Sequence, residues 1–166
     1  IVEAVVALKN DAVLGFATGS TPEGLYANLA ADCKAGKADF SKTVTVNLDE
    51  YCGLAADHPQ SYRYFMNDKL FNHINIDMSN THLPNGKAAD LPAEAARYEK
   101  EVAALGYADL QVLGVGHNGH IGFNEPDNFL VQDTHVTDLT EDTIDANSRF
   151  FASADEVPKQ ALTMGI

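Results

Sequence analysis

The stretch LGVGHNGHIGFNEP, residues 113–126, decides how the rest of the chain is interpreted. Four glycines interrupt a segment that also holds two histidines, two asparagines and a glutamate, and the residues at 110–113 before it read LQVL. That short run is typical of a buried strand. Glycine permits sharp turns and a close approach of the backbone to a neighbour. After a strand of an α/β chain, such a loop lies beyond the carboxyl end of the strand, where these folds bind ligands.

The remaining sequence alternates strand and helix patterns. Strands are predicted at 12–17, 43–48, 110–113, 134–139 and 161–166, and helices at 22–34, 61–71 and 92–105, with a short helical or irregular piece at 140–147. Alternation at this spacing predicts a single-domain, doubly wound, Rossmann-like α/β fold, in which helices cover both faces of a mostly parallel sheet. The chain opens in a helix-like segment without Met and stops in an apolar run. We therefore expect residues 1–166 to be one catalytic α/β domain, a fragment lacking an N-terminal strand and a C-terminal part.

Composition limits the possible partners. The formal net charge of −13 argues against nucleic acid or an anionic membrane, because no basic run is present to neutralise phosphates. A small phosphorylated ligand needs only a helix end and one or two cations, so the negative net charge does not exclude such a ligand. The two cysteines are in unrelated contexts, which favours reduced thiols and a cytoplasmic location. No apolar run reaches the roughly 18 residues of a membrane span.

A first candidate site is the turn TGSTP at 18–22, between a predicted strand and a predicted helix. We expect Ser20 or Thr21 to cap the helix, with Pro22 as its first residue. Backbone N–H groups and hydroxyls at such a turn can hold a phosphate. An ordinary capped turn explains the same residues, and the segment matches neither the dinucleotide fingerprint nor the P-loop.

Two further candidates are single charged residues. Asp49 ends a β-branched strand and is followed by Glu50, so one carboxylate can face a cleft while its neighbour points elsewhere. Arg149 stands out because the chain has only 11 Lys and Arg and aromatic residues follow it; its guanidinium is suited to bidentate phosphate binding. The alternative for Asp49 is an ordinary turn or helix-cap aspartate, and the alternative for Arg149 is a surface ion pair.

The glycine-rich loop supplies the remaining candidates, His117, His120 and Glu125. An acid–base pair of His120 with Glu125 is favoured. A structural histidine and a zinc site are the alternatives, although the two histidines are three apart on a glycine-broken loop and not on a helix face.

Five segments together resemble the glucosamine-6-phosphate deaminase (isomerase) family. They are ATGSTP at 17–22, NLDEYCGL at 47–54, HPQSYRYFM at 58–66, GVGHNGHIGFNEP at 114–126 and ANSRFF at 146–151. The resemblance implies a doubly wound α/β fold and a small-molecule substrate, glucosamine 6-phosphate, which water converts to fructose 6-phosphate and ammonia without a cofactor.

The resemblance also implies residue roles. Asp49 is the base that moves a proton from C2 to C1, His120 opens the sugar ring, and Glu125 orients and charges the imidazole. The implied phosphate-binding residues are Gly19, Ser20, Thr21 and Arg149.

Three departures from the family pattern are visible. Asn118 stands where some members have aspartate, so it can orient His120 by a hydrogen bond but adds no charge. A phosphate-binding lysine of family members lies beyond position 166. In hexameric members of the family that this chain resembles, the activator N-acetylglucosamine 6-phosphate is bound partly by basic residues after FNEP. Positions 126–137 of this chain contain no Lys or Arg, so we expect an enzyme without this activation.

Two other functions share this fold. A 6-phosphogluconolactonase has a basic residue after its DE pair, where this chain has Tyr51, and lacks FNEP. A sugar-phosphate-sensing domain of a transcription regulator needs no catalytic residues, so retention of Asp49, His120 and Glu125 together favours catalysis.

Overall fold

The computed structural model describes residues 1–116, 118–149, 151 and 153–166. Its strands are β1 (Val13–Phe16), β2 (Val44–Asn47), β3 (Asp49–Tyr51), β4 (Thr81–His82), β5 (Leu110–Gln111), β6 (His135–Asp138) and β7 (Gln160–Thr163). Its α-helices are α1 (Val2–Leu8), α2 (Glu23–Lys34), α3 (Tyr62–Lys69), α4 (Leu91–Ala104) and α5 (Glu141–Ser148), and short 3₁₀ turns occur at Phe71–His73, Met78–Asn80 and Ala154–Glu156. Within these described residues, no helix combines the length and the apolar character that crossing a membrane requires.

The larger sheet is parallel and has the order β4-β2-β1-β5. Phe16 lies opposite Asn47 in the register of β1 and β2, and Leu14 lies opposite Leu110 in that of β1 and β5. Parallel neighbours require crossover connections, and helices provide them here. The predicted mostly parallel α/β fold is confirmed.

Helices cover both faces of this sheet. On one face, Leu14 and Phe16 of β1 pack in a cluster with residues of α1, α2 and α3, including Tyr26 and Met66. On the other face, Val13 and Val46 pack against α4. Successive strand residues point to opposite faces, so the apolar run of β1 is buried on both sides. This pattern is what the doubly wound prediction requires.

A second, antiparallel sheet has the order β3-β7-β6 and was not predicted. Only Leu48 separates the end of β2 from the start of β3, so Asp49 begins a new strand at the point where the parallel strand ends. Thr163 of β7 lies opposite Asp49 on one side and opposite His135 on the other. The strands predicted at 134–139 and 161–166 are β6 and β7 of this sheet. A strand of three residues is too short to show an alternating pattern, which is why the sequence did not reveal β3.

Candidate active site

Three of the predicted site segments leave the same edge of the parallel sheet. Strands β2, β1 and β5 are adjacent and parallel. The segments that follow them, at 48–49, 17–22 and 112–126, therefore start side by side. Ligands of open α/β folds bind at this carboxyl edge.

The turn after β1 keeps its polar groups exposed. Gly19 has φ +91°, in the left-handed region that favours glycine, and Ser20 and Thr21 are both exposed. The expected capping by Ser20 or Thr21 is wrong: Pro22 occupies the N-cap position and no side chain caps α2. Pro22 is already helical (φ −82°, ψ −3°), so a backbone bond from the Glu23 N–H to the Ser20 carbonyl closes the turn at 3.4 Å. The two hydroxyls do not cap α2.

Asp49 is a buried carboxylate at this edge, with only 8% of its surface exposed. Burial, and then the nearby charge of Glu50, raises the pKa of Asp49 to about 8. No described residue donates a hydrogen bond to the Asp49 carboxylate. Such a group has the properties of a base that is basic enough to accept a proton from carbon near neutral pH.

The adjacent Glu50 carboxylate has a different environment. It accepts backbone N–H bonds from Tyr51, Tyr62 and Arg63, each at 2.9 Å. Burial raises the pKa of Glu50, while these N–H groups and the Arg63 charge oppose the shift. Two of the donors belong to the first turn of α3, so Glu50 fastens that helix to β3, whereas no described residue donates to Asp49 in this way.

The imidazole of His120 is connected to Glu125 through Asn118. His120 Nδ1 lies 2.7 Å from Asn118 Oδ1, and Asn118 Nδ2 donates to Glu125 Oε2 at 2.6 Å. The separation of His120 Nδ1 from Glu125 Oε2 is 3.9 Å. The expected acid–base partners are thus brought together, but the amide lies between them.

This arrangement fixes which imidazole nitrogen carries a proton. Burial alone would raise the pKa of Glu125, but hydrogen bonds from Thr143 and Asn118, the nearby His120 charge and a bond from Thr140 together lower it. An ionised carboxylate only accepts, so the NH₂ of Asn118 must face Glu125 and its oxygen must face His120. His120 Nδ1 therefore donates, and whenever the ring is neutral its acceptor is Nε2.

Gly116 makes room for the imidazole. A Cβ atom at Gly116 would lie 2.2 Å from Cε1 of His120, far inside van der Waals contact. The Gly116 N–H also bonds to the His120 carbonyl at 2.8 Å, which closes the loop around the ring. This position requires glycine because of a close approach and not because of its own backbone angles.

Strand β7 joins the His120 loop to Asp49, a connection that sequence reasoning missed. The Phe123 N–H donates to Thr163 Oγ1 at 3.2 Å, and Asn124 Nδ2 donates to the Met164 carbonyl at 2.8 Å. The Met164 N–H in turn bonds to the Leu48 carbonyl at 2.7 Å. No motif marks Thr163 in the sequence, because it lies in an ordinary apolar strand run.

Arg149 ends helix α5, and the segment that follows it packs near the site. Arg149 is the C-cap residue of α5 and its surface is exposed. Two residues later, the Phe151 ring packs edge-on against Tyr51, with centroids 6.0 Å apart. Tyr51 also packs on Phe123, at 5.5 Å. The segment after α5 is therefore anchored beside both halves of the site. Phe150 lies outside the described residues.

The alternative of a zinc site formed by His117, His120 and Glu125 is not tested, because His117 lies outside the described residues. Among the residues that are described, no three His, Cys, Asp or Glu side chains are grouped closely enough to hold a metal ion.

A cleft of about 570 Å³ lies elsewhere, beside α3, and Arg63, Asn67 and Met78 are among its lining residues. It contains none of the predicted site residues. The titratable groups described above lie instead at the carboxyl edge of the parallel sheet.

These features define a doubly wound α/β protein with acid–base side chains gathered at the carboxyl edge of its sheet. A family model described as glucosamine-6-phosphate isomerases/6-phosphogluconolactonase matches residues 1–150. The chain belongs to this family.

Individual relatives of this chain carry more specific names than the family model does. Over all 166 residues, the chain is 59% identical to a glucosamine-6-phosphate deaminase of Clostridium beijerinckii and 57% identical to one of a Thermoanaerobacter species. It spans 69% and 66% of their lengths, about two thirds. A solved structure of a monomeric glucosamine-6-phosphate deaminase matches with a TM-score of 0.96 at 52% identity, over 99% of this chain and 68% of that one. A 6-phosphogluconolactonase of Thermotoga maritima matches with a TM-score of 0.71 at 23% identity, over 98% of this chain and 67% of that one, which shows a shared fold.

Proposed function

We propose that the protein is a glucosamine-6-phosphate deaminase, which converts glucosamine 6-phosphate and water into fructose 6-phosphate and ammonia. The observation that carries this proposal is the buried Asp49 carboxylate beside the loop that holds His120, Asn118 and Glu125. The names of relatives at 57–59% identity support the same reaction. No cofactor is needed, because each step moves a proton or adds water.

Ring opening is assigned to His120. Its Nε2 is the free acceptor when Nδ1 donates to Asn118, so it can take the proton from O1 of the sugar and return it to O5. The bond between C1 and O5 breaks, and the open-chain aldehyde forms. The ionised Glu125 stabilises the transient positive charge on the imidazole from 3.9 Å away and orients it through the amide.

Isomerisation and deamination are assigned to Asp49. Its carboxylate removes the proton from C2, which gives an enolamine, and returns the proton to C1. The resulting iminium at C2 adds water and releases ammonia, which leaves the ketose. A pKa near 8 supports this role, because a base works best when its pKa is close to the operating pH.

The phosphate is assigned to the turn of Gly19, Ser20 and Thr21 together with Arg149. The exposed hydroxyls and the start of α2 favour an anion there. The phosphate is far from the reacting carbons, but the energy of its binding would hold C1 and C2 in position over Asp49.

We also propose that residues 1–166 form one catalytic domain of a cytoplasmic protein. The parallel sheet and the antiparallel sheet support this organisation, because they are joined through Leu48 and Met164 and contribute to the same site.

The test is ammonia release from glucosamine 6-phosphate by the full-length protein, with fructose 6-phosphate measured in parallel. We expect equal amounts of both products. Asp49→Asn should lose 10²-fold or more of the activity, roughly the contribution of a general base. Asp11→Asn is the matched control, since Asp11 is exposed and precedes β1 at the opposite edge of the sheet.

Other outcomes separate the alternatives. A folded protein that binds the sugar phosphate without releasing ammonia would support the sensor function. Hydrolysis of 6-phosphogluconolactone without deamination would support the lactonase. Failure to bind any sugar phosphate would refute the assignment of Gly19, Ser20, Thr21 and Arg149.

A further inference from the structure

The two oxygens of the Glu125 carboxylate have different partners. Oε2 accepts from Asn118, whereas Oε1 accepts from Thr143 Oγ1 of helix α5 at 2.6 Å. Thr140 Oγ1 lies 3.4 Å from the same Oε1 and 3.0 Å from Thr143 Oγ1. Glu125 is therefore held between the glycine-rich loop and the start of α5.

The start of α5 fixes the position of the Thr143 hydroxyl. Thr140 is the N-cap residue, and its side chain accepts the Thr143 N–H at 3.3 Å. A capped first turn has little freedom, so Thr143 presents its hydroxyl to Glu125 from a defined place. Hydrogen bonds to a charged acceptor are among the stronger ones in proteins.

A chain of three hydrogen bonds connects α5 to the imidazole: Thr143 and Asn118 both donate to Glu125, and His120 Nδ1 donates to Asn118. If the Thr143 bond is lost, the Glu125 carboxylate is free to rotate away from Asn118. The Asn118 amide then loses the carboxylate to which its NH₂ donates, while its oxygen still accepts the His120 backbone N–H at 3.2 Å. The orientation of the amide, and with it the proton on His120 Nδ1, is therefore supported by a hydroxyl that does not contact the imidazole.

We propose that Thr143 is a positioning residue for ring opening: its hydroxyl sets the Glu125 carboxylate and, through Asn118, the proton on His120 Nδ1. This inference rests on the proposed function. It also gives α5 two roles, because the same helix ends at Arg149, the residue assigned to the substrate phosphate.

The kinetic test compares two substrates in the full-length protein. Thr143→Val should lower kcat for glucosamine 6-phosphate about tenfold, the scale of one hydrogen bond to a charged group, and Thr143→Ser should restore it. An analogue that lacks the hydroxyls at carbons 4 and 5 cannot close to a ring, so the variant and the unsubstituted protein should deaminate it at equal rates. Thr137→Val on β6 is the control, because within the described part of the chain the Thr137 hydroxyl donates to the neighbouring carbonyl of Asp138 alone, at 3.4 Å.

A titration tests the same contact without any activity. Because the Thr143 bond lowers the pKa of Glu125, Thr143→Val should move the ¹³C-detected titration of the Glu125 carboxyl to higher pH, and Thr143→Ser should not. An unchanged titration, or an equal loss of activity on both substrates, would refute the positioning role. If the unsubstituted protein releases no ammonia, the proposed deaminase function fails, and the titration still decides whether Thr143 sets Glu125.

Discussion

Asp49 and Thr163 lie opposite each other across β3 and β7, and the turn at Gly122 lies against both side chains. A Cβ atom at Gly122 would be 2.8 Å from Thr163 Oγ1 and 3.5 Å from Asp49 Oδ2. Gly122 also has φ +59°, which an L side chain rarely adopts. The proposed base and the loop of the proposed ring-opening residues are thus held together by Thr163, a residue that itself has no acid–base chemistry.

Thr163→Val should destabilise the protein by about 1–3 kcal/mol, because the Phe123 N–H loses its acceptor in a fully buried place. Urea denaturation measures this change, and kcat should fall as the Gly122 turn shifts. Thr45→Val is the matched control: the Thr45 hydroxyl is also buried, on β2, but has no partner among the described residues. Removing the Thr45 hydroxyl should leave the free energy of unfolding unchanged or raise it. Equal losses in the two variants would contradict the role of the Phe123 bond.

Asp49 should make activity rise with pH. Its carboxyl must be ionised to accept the C2 proton, so kcat/KM should increase towards an apparent pKa of about 8 and level off above it. Initial rates in buffers of constant ionic strength from pH 5.5 to 9.5 measure the profile. A rate independent of pH between 6 and 8 would contradict the assignment of Asp49 as the base.

The same group should make stability fall with pH. Its pKa is raised in the folded state, so the stabilisation is present below its ordinary pKa near 4 and is lost as pH rises to about 8. Asp49→Asn removes this dependence. The free energy of unfolding of Asp49→Asn minus that of the unsubstituted protein should therefore increase by up to about 1.4 kcal/mol for each pH unit across that window. Urea denaturation at pH 5.5 and 8.5 would show the difference, and an equal offset at both values would contradict it.

The sequence predicted three of the four strands of the parallel sheet, β1, β2 and β5, because apolar runs and turn residues mark them, but it missed β4, which has only two residues. It could not predict β3 and β7 as partners, since pairing between residues 49 and 163 is a long-range contact with no local pattern. For the same reason Thr163 and Thr143, which hold site residues from distant segments, carried no sequence signal. Asn118 was recognised as a departure, but its place between His120 and Glu125 depends on how the loop folds back.

Gly116→Ala should reduce activity while the fold is kept. The added methyl would displace the His120 ring, whose Cε1 lies 2.2 Å from the methyl position, and so would break the bond to Asn118. A fall in kcat on the order of 10²-fold is expected, the lower end of what a misplaced acid–base group causes. Gly24→Ala in α2, where a Cβ meets open space, is the control for stability, because the start of α2 belongs to the proposed phosphate site and kcat could change there. A normal kcat with Gly116→Ala would show that the ring can move without loss.

Asn118→Asp tests whether the Asn118 amide donates to the Glu125 carboxylate. The introduced carboxylate would face Glu125 Oε2 at the 2.6 Å now spanned by an N–H bond, so the pair must share a proton or repel. Like charge raises the pKa of such a pair, and stability is then lost as pH rises through that raised value. We expect the variant to be about 1–3 kcal/mol less stable than the unsubstituted protein at pH 8, and less affected at pH 5, in urea denaturation. Asn28→Asp, at an exposed position of α2, is the control for an added charge. A pH-independent difference would mean that Glu125 does not face this side chain.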